Sequence, residues 1–262
     1  MLQTGETIQV ERFLRCALSG VKLFGRLADG KIEILDGAYY ETIRPTGRSV
    51  DPKEVTLLCP VAPSKIILVG LNYRVHVQHS QSATEVPANP ILFLKPPTAL
   101  IGPEEHIIYP DGVDRVDYEA ELGVVIGRRG FNIPVAQAYD YIFGYTCVND
   151  VTARNVQRQD GQWTRGKGFD TFCPVGPWVV RGIDPSDLAV EAYLNGVRKQ
   201  YGRTSDLIFA VPFLVHFISS VMTLMPGDII ATGTPQGIDP MQRGDRIEVR
   251  VEQVGSLVNT IV

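Results

Sequence analysis

The run Asp117-Tyr118-Glu119-Ala120-Glu121-Leu122-Gly123-Val124-Val125-Ile126-Gly127 constrains this chain more than any other stretch. Its second half is almost wholly apolar, the pattern of a strand covered on both faces. Side chains alternate along a strand, so the run predicts that Glu119 and Glu121 point to the same side. Unpaired carboxylates inside a protein protonate rather than stay charged. A divalent cation removes that penalty. The ordinary alternative is an edge strand with both carboxylates in water.

A third carboxylate changes the balance. Gly144-Tyr145-Thr146-Cys147-Val148-Asn149 reads as another strand, and Asp150 stands at its end. Asn-Asp also forms turns. Taken with Glu119 and Glu121, however, Asp150 completes an all-oxygen set drawn from two strands. Such a set favours Mg²⁺ or Mn²⁺, with Ca²⁺ as a substitute. Zinc usually recruits nitrogen or sulfur, and none is in the set. A six-coordinate ion on three protein ligands keeps positions for water or substrate.

Around these two strands the chain is rich in β-structure. Glu11 to Leu18, Val21 to Ala28 and Lys31 to Leu35 read as short strands joined at Ser19-Gly20 and Asp29-Gly30. Asp-Gly is a strong hairpin signal. This segment is too small for much of a core, so we expect an N-terminal β domain over 1–62 packed on a main domain over 63–262. Cys59 to Pro63 is the expected linker. In the main domain, strands are expected at Lys65 to Gly70, Ile91 to Lys95, Val175 to Val180, Ala189 to Leu194 and Ile229 to Thr232. Arg246 to Val251 is expected as the last. Helices are expected at Pro134 to Phe143 and Pro212 to Thr223. Residues 151–170 show little periodicity and are expected to form a long loop with a helical turn near its start.

Composition excludes several functions. The formal net charge is −4 and no basic block appears, which argues against nucleic acid. The longest apolar run, Leu207 to Val215, contains Pro212 and is too short for a bilayer. No secretory signal is visible, and the 4 cysteines are scattered without framework spacing. A cytoplasmic protein with reduced thiols is the expectation. Nucleotide-binding glycine loops and the Gly-x-Ser-x-Gly elbow are absent from the sequence.

Further stretches carry a family resemblance. They are Gly70-Leu71-Asn72-Tyr73 with His76, Phe93-Leu94-Lys95-Pro96, Tyr118 to Gly123, Asn149 to Arg154, Gly166-Lys167-Gly168-Phe169-Asp170, and Thr232-Gly233-Thr234-Pro235. In this order they resemble the fumarylacetoacetate hydrolase family over roughly residues 65–262. The resemblance implies a β-rich α+β fold, with a mixed-sheet roll or barrel core and a small N-terminal β appendage. It implies that Glu119, Glu121 and Asp150 bind Mg²⁺ or Mn²⁺, and that Lys167 and His76 serve catalysis. It places Arg154, Gln157 and Thr234 against the substrate, a small 2-oxo or enol acid, and it implies a homodimer.

The expected reaction is hydrolysis of a carbon–carbon bond in a 2,4-dioxo acid such as an acylpyruvate, through an enolate held by the metal. The alternative is an isomerase or decarboxylase of 2-hydroxymuconate-like dioic acids in aromatic catabolism. A catalytically impaired 2-oxo-acid-binding protein is the reading from another class. One departure bears on the choice. In the hydrolytic and decarboxylating members that the resemblance points to, a glutamate stands three residues after the histidine, where this chain has His79. A histidine lacks the anionic partner that orients water, which weakens hydrolysis relative to proton-shifting chemistry.

Overall fold

The computed structural model describes residues 9–74 and 86–262. His76, His79 and most of the Tyr73–Pro87 segment, expected from the sequence to close over substrate, lie outside the described residues. The described residues are built on three sheets. The largest has twelve strands, ten of them on one path: Pro45–Val50, Lys31–Leu35, Val21–Ala28, Glu11–Leu18, Cys173–Arg181, Ile142–Asn149, Ala120–Ile126, Ile229–Ala231, Ile66–Gly70 and Ile91–Lys95. The path has two ends and contains both parallel and antiparallel pairs, so the β-rich core is an open mixed sheet rather than a closed barrel. A five-stranded sheet runs Val197–Arg203, Ala189–Leu194, Arg246–Val251, Gly255–Ile261, His106–Ile107. Three two-residue strands, Thr152–Ala153, Val116–Asp117 and Pro240–Met241, form the smallest.

Local sequence accounts for the hairpins. Asp29 and Gly30 have φ of 50° and 74°, and Asn195 and Gly196 have 51° and 80°. Two successive positive φ values match the right-handed twist of the strands they join. The N-terminal strands then extend the main sheet, because Glu11–Leu18 pairs antiparallel with Cys173–Arg181. The stretch expected as a linker is packed: Cys59 and Val61 are buried with Phe13, Tyr39 and Leu68, and the Tyr39 hydroxyl donates to the Pro60 carbonyl at 2.7 Å.

The central strand Ala120–Ile126 is buried at every residue. Leu122, Val124 and Ile126 enter one core cluster and Val125 the other, so both faces are covered and the run is apolar without interruption. One expectation fails here. The strand does not begin at Asp117. Val116–Asp117 belongs to the small sheet, and Tyr118 and Glu119 lie between the two strands. The break is satisfied locally: the Asn149 side-chain oxygen accepts from the Glu119 N–H at 3.0 Å, and the Asp150 N–H donates to the Glu119 carbonyl at 2.9 Å.

Two more expectations are corrected. Residues 151–170 are not mainly loop. They hold helix α1 (Arg154–Asp160) and the single turn α2 (Thr164–Lys167). Their periodicity is hidden because the buried face of α1 is Arg154, Val156 and Gln157, two of them polar. Arg246–Val251 is not the last strand; Gly255–Ile261 follows, with Leu257, Asn259 and Ile261 buried at every second position. The expected helix near 212 is α3 (Val211–Val221), which buries Leu214, Val215 and Ile218. No helix among the described residues is long and apolar enough to cross a membrane.

Candidate metal centre

Despite the strand break, Glu119, Glu121 and Asp150 converge. Each offers a carboxylate oxygen, and these oxygens lie within 4.8 Å of one another. Glu119 hangs from the break, Glu121 from the central strand, and Asp150 from the residue just after Ile142–Asn149. Cross-strand pairing brings them together, since Ala120 faces Asn149 in the register. All three side chains are buried.

Cations surround the triad. Lys167, buried in α2, donates to Glu119 Oε2 at 2.9 Å and to Asp150 Oδ2 at 2.6 Å. Arg154, the first residue of α1, donates from Nη2 to Glu119 Oε1 at 2.5 Å. Its Nε reaches Asp117 Oδ2 at 2.9 Å and its Nη1 reaches Gln157 Oε1 at 2.7 Å. Lys95, fully buried, donates to the carbonyls of Val151 and Phe172. Its Nζ stands 2.6 Å from Asp150 Oδ1, yet that oxygen accepts no hydrogen bond from any described residue. The contact is therefore an ion pair without hydrogen-bond geometry.

These neighbours set the charges. Burial works against ionisation of Glu119, but Lys167 and Arg154 outweigh it and hold its carboxyl well below the usual range. Burial pushes Glu121 well above that range, and the charges of Asp150 and Glu119 push it further. The Gly233 N–H, donating to Glu121 Oε2 at 2.8 Å, opposes them only in part. Burial likewise opposes the Lys167 charge, while Asp150 and Glu119 raise its pKa.

The donor set fits a hard divalent cation. It is all oxygen, it is buried, burial and then the neighbouring carboxylates hold Glu121 well above the usual carboxylate range, and one Asp150 oxygen lacks a hydrogen-bond partner among the described residues.

The triad faces a pocket of about 300 Å³. Its apolar lining comes from Val69, Leu71, Phe93, Trp163 and Ile238. Trp163 reaches it because Gly70 has no side chain; a Cβ there would stand 2.5 Å from the indole. Its polar lining includes Arg115, Gln157, Arg158, Thr234 and Gln236. Thr234 sits in the loop after Ile229–Ala231, and its hydroxyl oxygen accepts from Gln200 Nε2 at 2.9 Å. That bond leaves the hydroxyl proton free to be donated. Gln157 is placed similarly: its carbonyl oxygen is taken by Arg154, so its amide N–H groups remain as donors.

The structure thus gathers Glu119, Glu121, Asp150, Lys167, Arg154, Gln157 and Thr234 around one pocket. His76 lies outside the described residues. Sequence reasoning assigned no role to Asp117, Lys95 or Gln200. Asp117 was detectable, because it precedes Glu119 by the same two-residue step that links Glu119 to Glu121. Lys95 stood in a quoted motif with nothing to mark it as buried. Gln200 sits in the polar run Arg198-Lys199-Gln200-Tyr201, which looks like solvent-facing strand.

Residues 65–262 match the family described as fumarylacetoacetate (FAA) hydrolase, C-terminal, and residues 11–60 match one described as Rv2993c-like, N-terminal. The chain is 44% identical to the 5-carboxymethyl-2-hydroxymuconate delta-isomerase from Mycobacterium smegmatis, and the two structures agree with a TM-score of 0.90 over 96% of this chain and 99% of that one. It is 41% identical over 221 residues to oxaloacetate tautomerase YisK of Bacillus subtilis (strain 168), which covers 79% of this chain and 73% of that protein. A maleylpyruvate hydrolase from Sphingobium sp. SYK-6, solved in complex with manganese(II) ion and pyruvate, is 30% identical with a TM-score of 0.80, covering 96% of this chain and 98% of that one.

Proposed function

The chain belongs to the fumarylacetoacetate hydrolase family, whose members are enzymes, and from that membership and the pocket we propose that it is a divalent-cation-dependent isomerase or tautomerase of a small 2-oxo acid. The observation that carries this reading is the buried triad Glu119, Glu121 and Asp150 beside Lys167 in one pocket. Glu119, Glu121 and Asp150 would hold Mg²⁺ or Mn²⁺, which would supply Lewis acidity toward the 2-oxo acid.

The protein's own residues supply the rest. Lys167 presents an ammonium group at the triad and offsets the negative charge that builds on the substrate oxygen as a proton leaves C3. Thr234 Oγ and the Gln157 amide donate to the substrate carboxylate. Arg154 acts as a brace: three of its donors are already engaged by Asp117, Glu119 and Gln157. Phe93 and Trp163 exclude water from the face they cover, which favours moving a proton over adding water. His76 remains the sequence-based candidate for the base at C3.

Two considerations support reading isomerisation before carbon–carbon hydrolysis here. The relatives whose names denote isomerisation or tautomerisation are 44% and 41% identical, against 30% for the hydrolase. His79 also stands where the family resemblance implies a glutamate in hydrolytic and decarboxylating members. Hydrolysis is the second reading, supported by the hydrolase that binds manganese(II) and pyruvate. The test is an ultraviolet assay on enol forms of 2-oxo acids, with Mg²⁺ or with chelator, and products identified by proton NMR. Cation-dependent loss of enol absorbance without pyruvate supports isomerisation. Pyruvate release without CO₂ moves the assignment to hydrolysis, CO₂ release moves it to decarboxylation, and no turnover in loaded protein rejects all three.

A further inference from the structure

The strand Val197–Arg203 closes one end of the five-stranded sheet, and it buries only Gln200 and Gly202. Its register with Ala189–Leu194 shifts at that point. Ala192 faces Gln200 and Tyr193 faces Arg198, which leaves Lys199 as the extra residue of a bulge. A bulge bends its strand and re-aims the side chains beside it. The loop that carries Thr234 packs against this bend: a Cβ on Gly202 would stand 2.6 Å from Pro235 Cβ, and one on Gly237 would stand 2.2 Å from the Lys199 carbonyl oxygen. Gln200, fully buried, joins the loop to the triad strand. Its Oε1 accepts from the Ala120 N–H at 2.9 Å, between two members of the triad, and its Nε2 donates to Thr234 Oγ at 2.9 Å and to the Pro235 carbonyl at 2.7 Å. The amide can take only this orientation. The Ala120 N–H offers a donor and the Pro235 carbonyl an acceptor, so oxygen must face the first and nitrogen the second. A donor therefore always meets the Thr234 hydroxyl. Thr234 Oγ accepts on that side, and its single proton is left for the pocket that it lines.

We propose that Gln200 is a positioning residue: its amide, locked between Ala120 and Pro235, sets the polarity of the Thr234 hydroxyl so that the proton is presented to the substrate, and it fixes that donor relative to the strand bearing Glu121. The proposal rests on the 2-oxo-acid reading above, in which Thr234 donates to a carboxylate. Gln200 touches no substrate atom and acts through Thr234. A hydroxyl without such a neighbour rotates between donating and accepting. One that is already aimed loses less freedom when the ligand arrives. A carboxylate at position 200 would reverse the polarity. One oxygen would still accept from Ala120, but the other would take the Thr234 proton, and the substrate carboxylate would face a lone pair instead of a donor.

The test is pyruvate binding to Mn²⁺-loaded protein, read from the relaxation that the bound ion imposes on the pyruvate methyl protons, beside calorimetric titration with Mn²⁺ alone. Gln200→Met keeps the side-chain length without the amide, and Gln200→Glu reverses its polarity. The pyruvate Kd is expected to rise about tenfold in Gln200→Glu and several-fold in Gln200→Met, the scale of one hydrogen bond to a charged group, with Mn²⁺ affinity held within about threefold. Thr234→Val is expected to weaken pyruvate by about tenfold as well, and either Gln200 change added to it by less than about twofold more, because no hydroxyl remains to be aimed. A merely structural role makes the losses add. In the enol assay the Gln200 variants are expected to raise KM with kcat held within about threefold, since the contact serves ground and transition states alike. Unchanged pyruvate affinity in Gln200→Met and Gln200→Glu overturns the proposal. So do losses that add to that of Thr234→Val, a fall in Mn²⁺ affinity as large as that for pyruvate, or wild type that binds no pyruvate. If Gln200→Glu fails to fold, Gln200→Met carries the same test. Pyruvate affinity that follows Gln200 and Thr234 without enol turnover defeats the functional reading and leaves the positioning role standing; turnover with flat pyruvate affinity does the reverse.

Discussion

Arg154 Nη2 donates to Glu119 Oε1 across 2.5 Å, while the same guanidinium holds Asp117 through Nε. One side chain therefore ties the small sheet, where Asp117 lies, to the break from which Glu119 hangs. Lys167 and this contact together hold the Glu119 carboxyl well below the usual range despite its burial. Two consecutive elements meet at that break, and the guanidinium is what fixes the carboxylate between them.

The triad has no spare ligand. Glu121→Gln and Asp150→Asn are each expected to weaken Mn²⁺ binding by more than about 100-fold, beyond the roughly 10–100-fold typical of residues that only support a ligand. Calorimetric titration measures this directly. An unchanged Mn²⁺ affinity in either variant would remove that residue from the site.

Asp117→Ala leaves Arg154 and Arg115 without their shared anion. Breaking a buried ion pair from one side costs about 3–5 kcal/mol, because the remaining charge stays desolvated. Arg154 is nine-tenths buried and should feel most of that cost, whereas Arg115 can rotate into water. Urea unfolding should show a lower midpoint with an unchanged slope. A loss below about 1 kcal/mol would mean that Arg154 finds other partners.

Gly70→Ala puts a methyl group 2.5 Å and 2.7 Å from two carbons of the Trp163 ring. The indole must move, and the apolar lining moves with it. Overpacking of this kind costs roughly 1–3 kcal/mol. The measurable signs are a shifted tryptophan emission maximum and weaker ligand binding. An emission spectrum identical to wild type would show that the lining does not depend on this contact.

Burial pushes the thiols of Cys59, Cys147 and Cys173 up to about 12. Thiolate is the reactive form, so alkylation at pH 8 should be slow in the native protein and fast in denaturant. The linkage follows the same sign. These folded-state values lie above the unfolded value of about 8.5, so the folded chain holds its protons more tightly between the two. The stability they contribute is complete below about pH 8.5 and declines as pH rises toward 12. Unfolding midpoints measured from pH 7 to pH 10.5 should fall accordingly; prompt native-state alkylation would contradict both expectations.

Much of the fold was legible because its signals are local. The Asp29-Gly30 and Asn195-Gly196 turns take the positive φ values that their residue types tolerate, and the strands beside them lie where alternation places them. Residues 154–167 were not legible in the same way. Their helices turn Arg154, Gln157 and Lys167 inward, and periodicity methods read buried polar residues as exposed ones. The final strand was missed although Leu257, Asn259 and Ile261 alternate, because Asn259 looks like a solvent residue until its amide is seen bonded to the carbonyls of Gly102 and Glu105.

The sequence by itself determined the acidic triad's membership, the oxygen character of the site and the family. All three depend on residue identity and on order along the chain. Only the tertiary structure decided that Glu119 leaves the strand and still meets Glu121 and Asp150. It also decided that Lys95 and Gln200 lie inside, and that Asp117 joins two arginines. Those facts depend on which segments pair across long separations, Ala120 with Asn149 in one sheet and Val116 with Ala153 in another. Charge inside a protein is stable only where such pairings deliver a partner, and no local pattern records where the partner comes from.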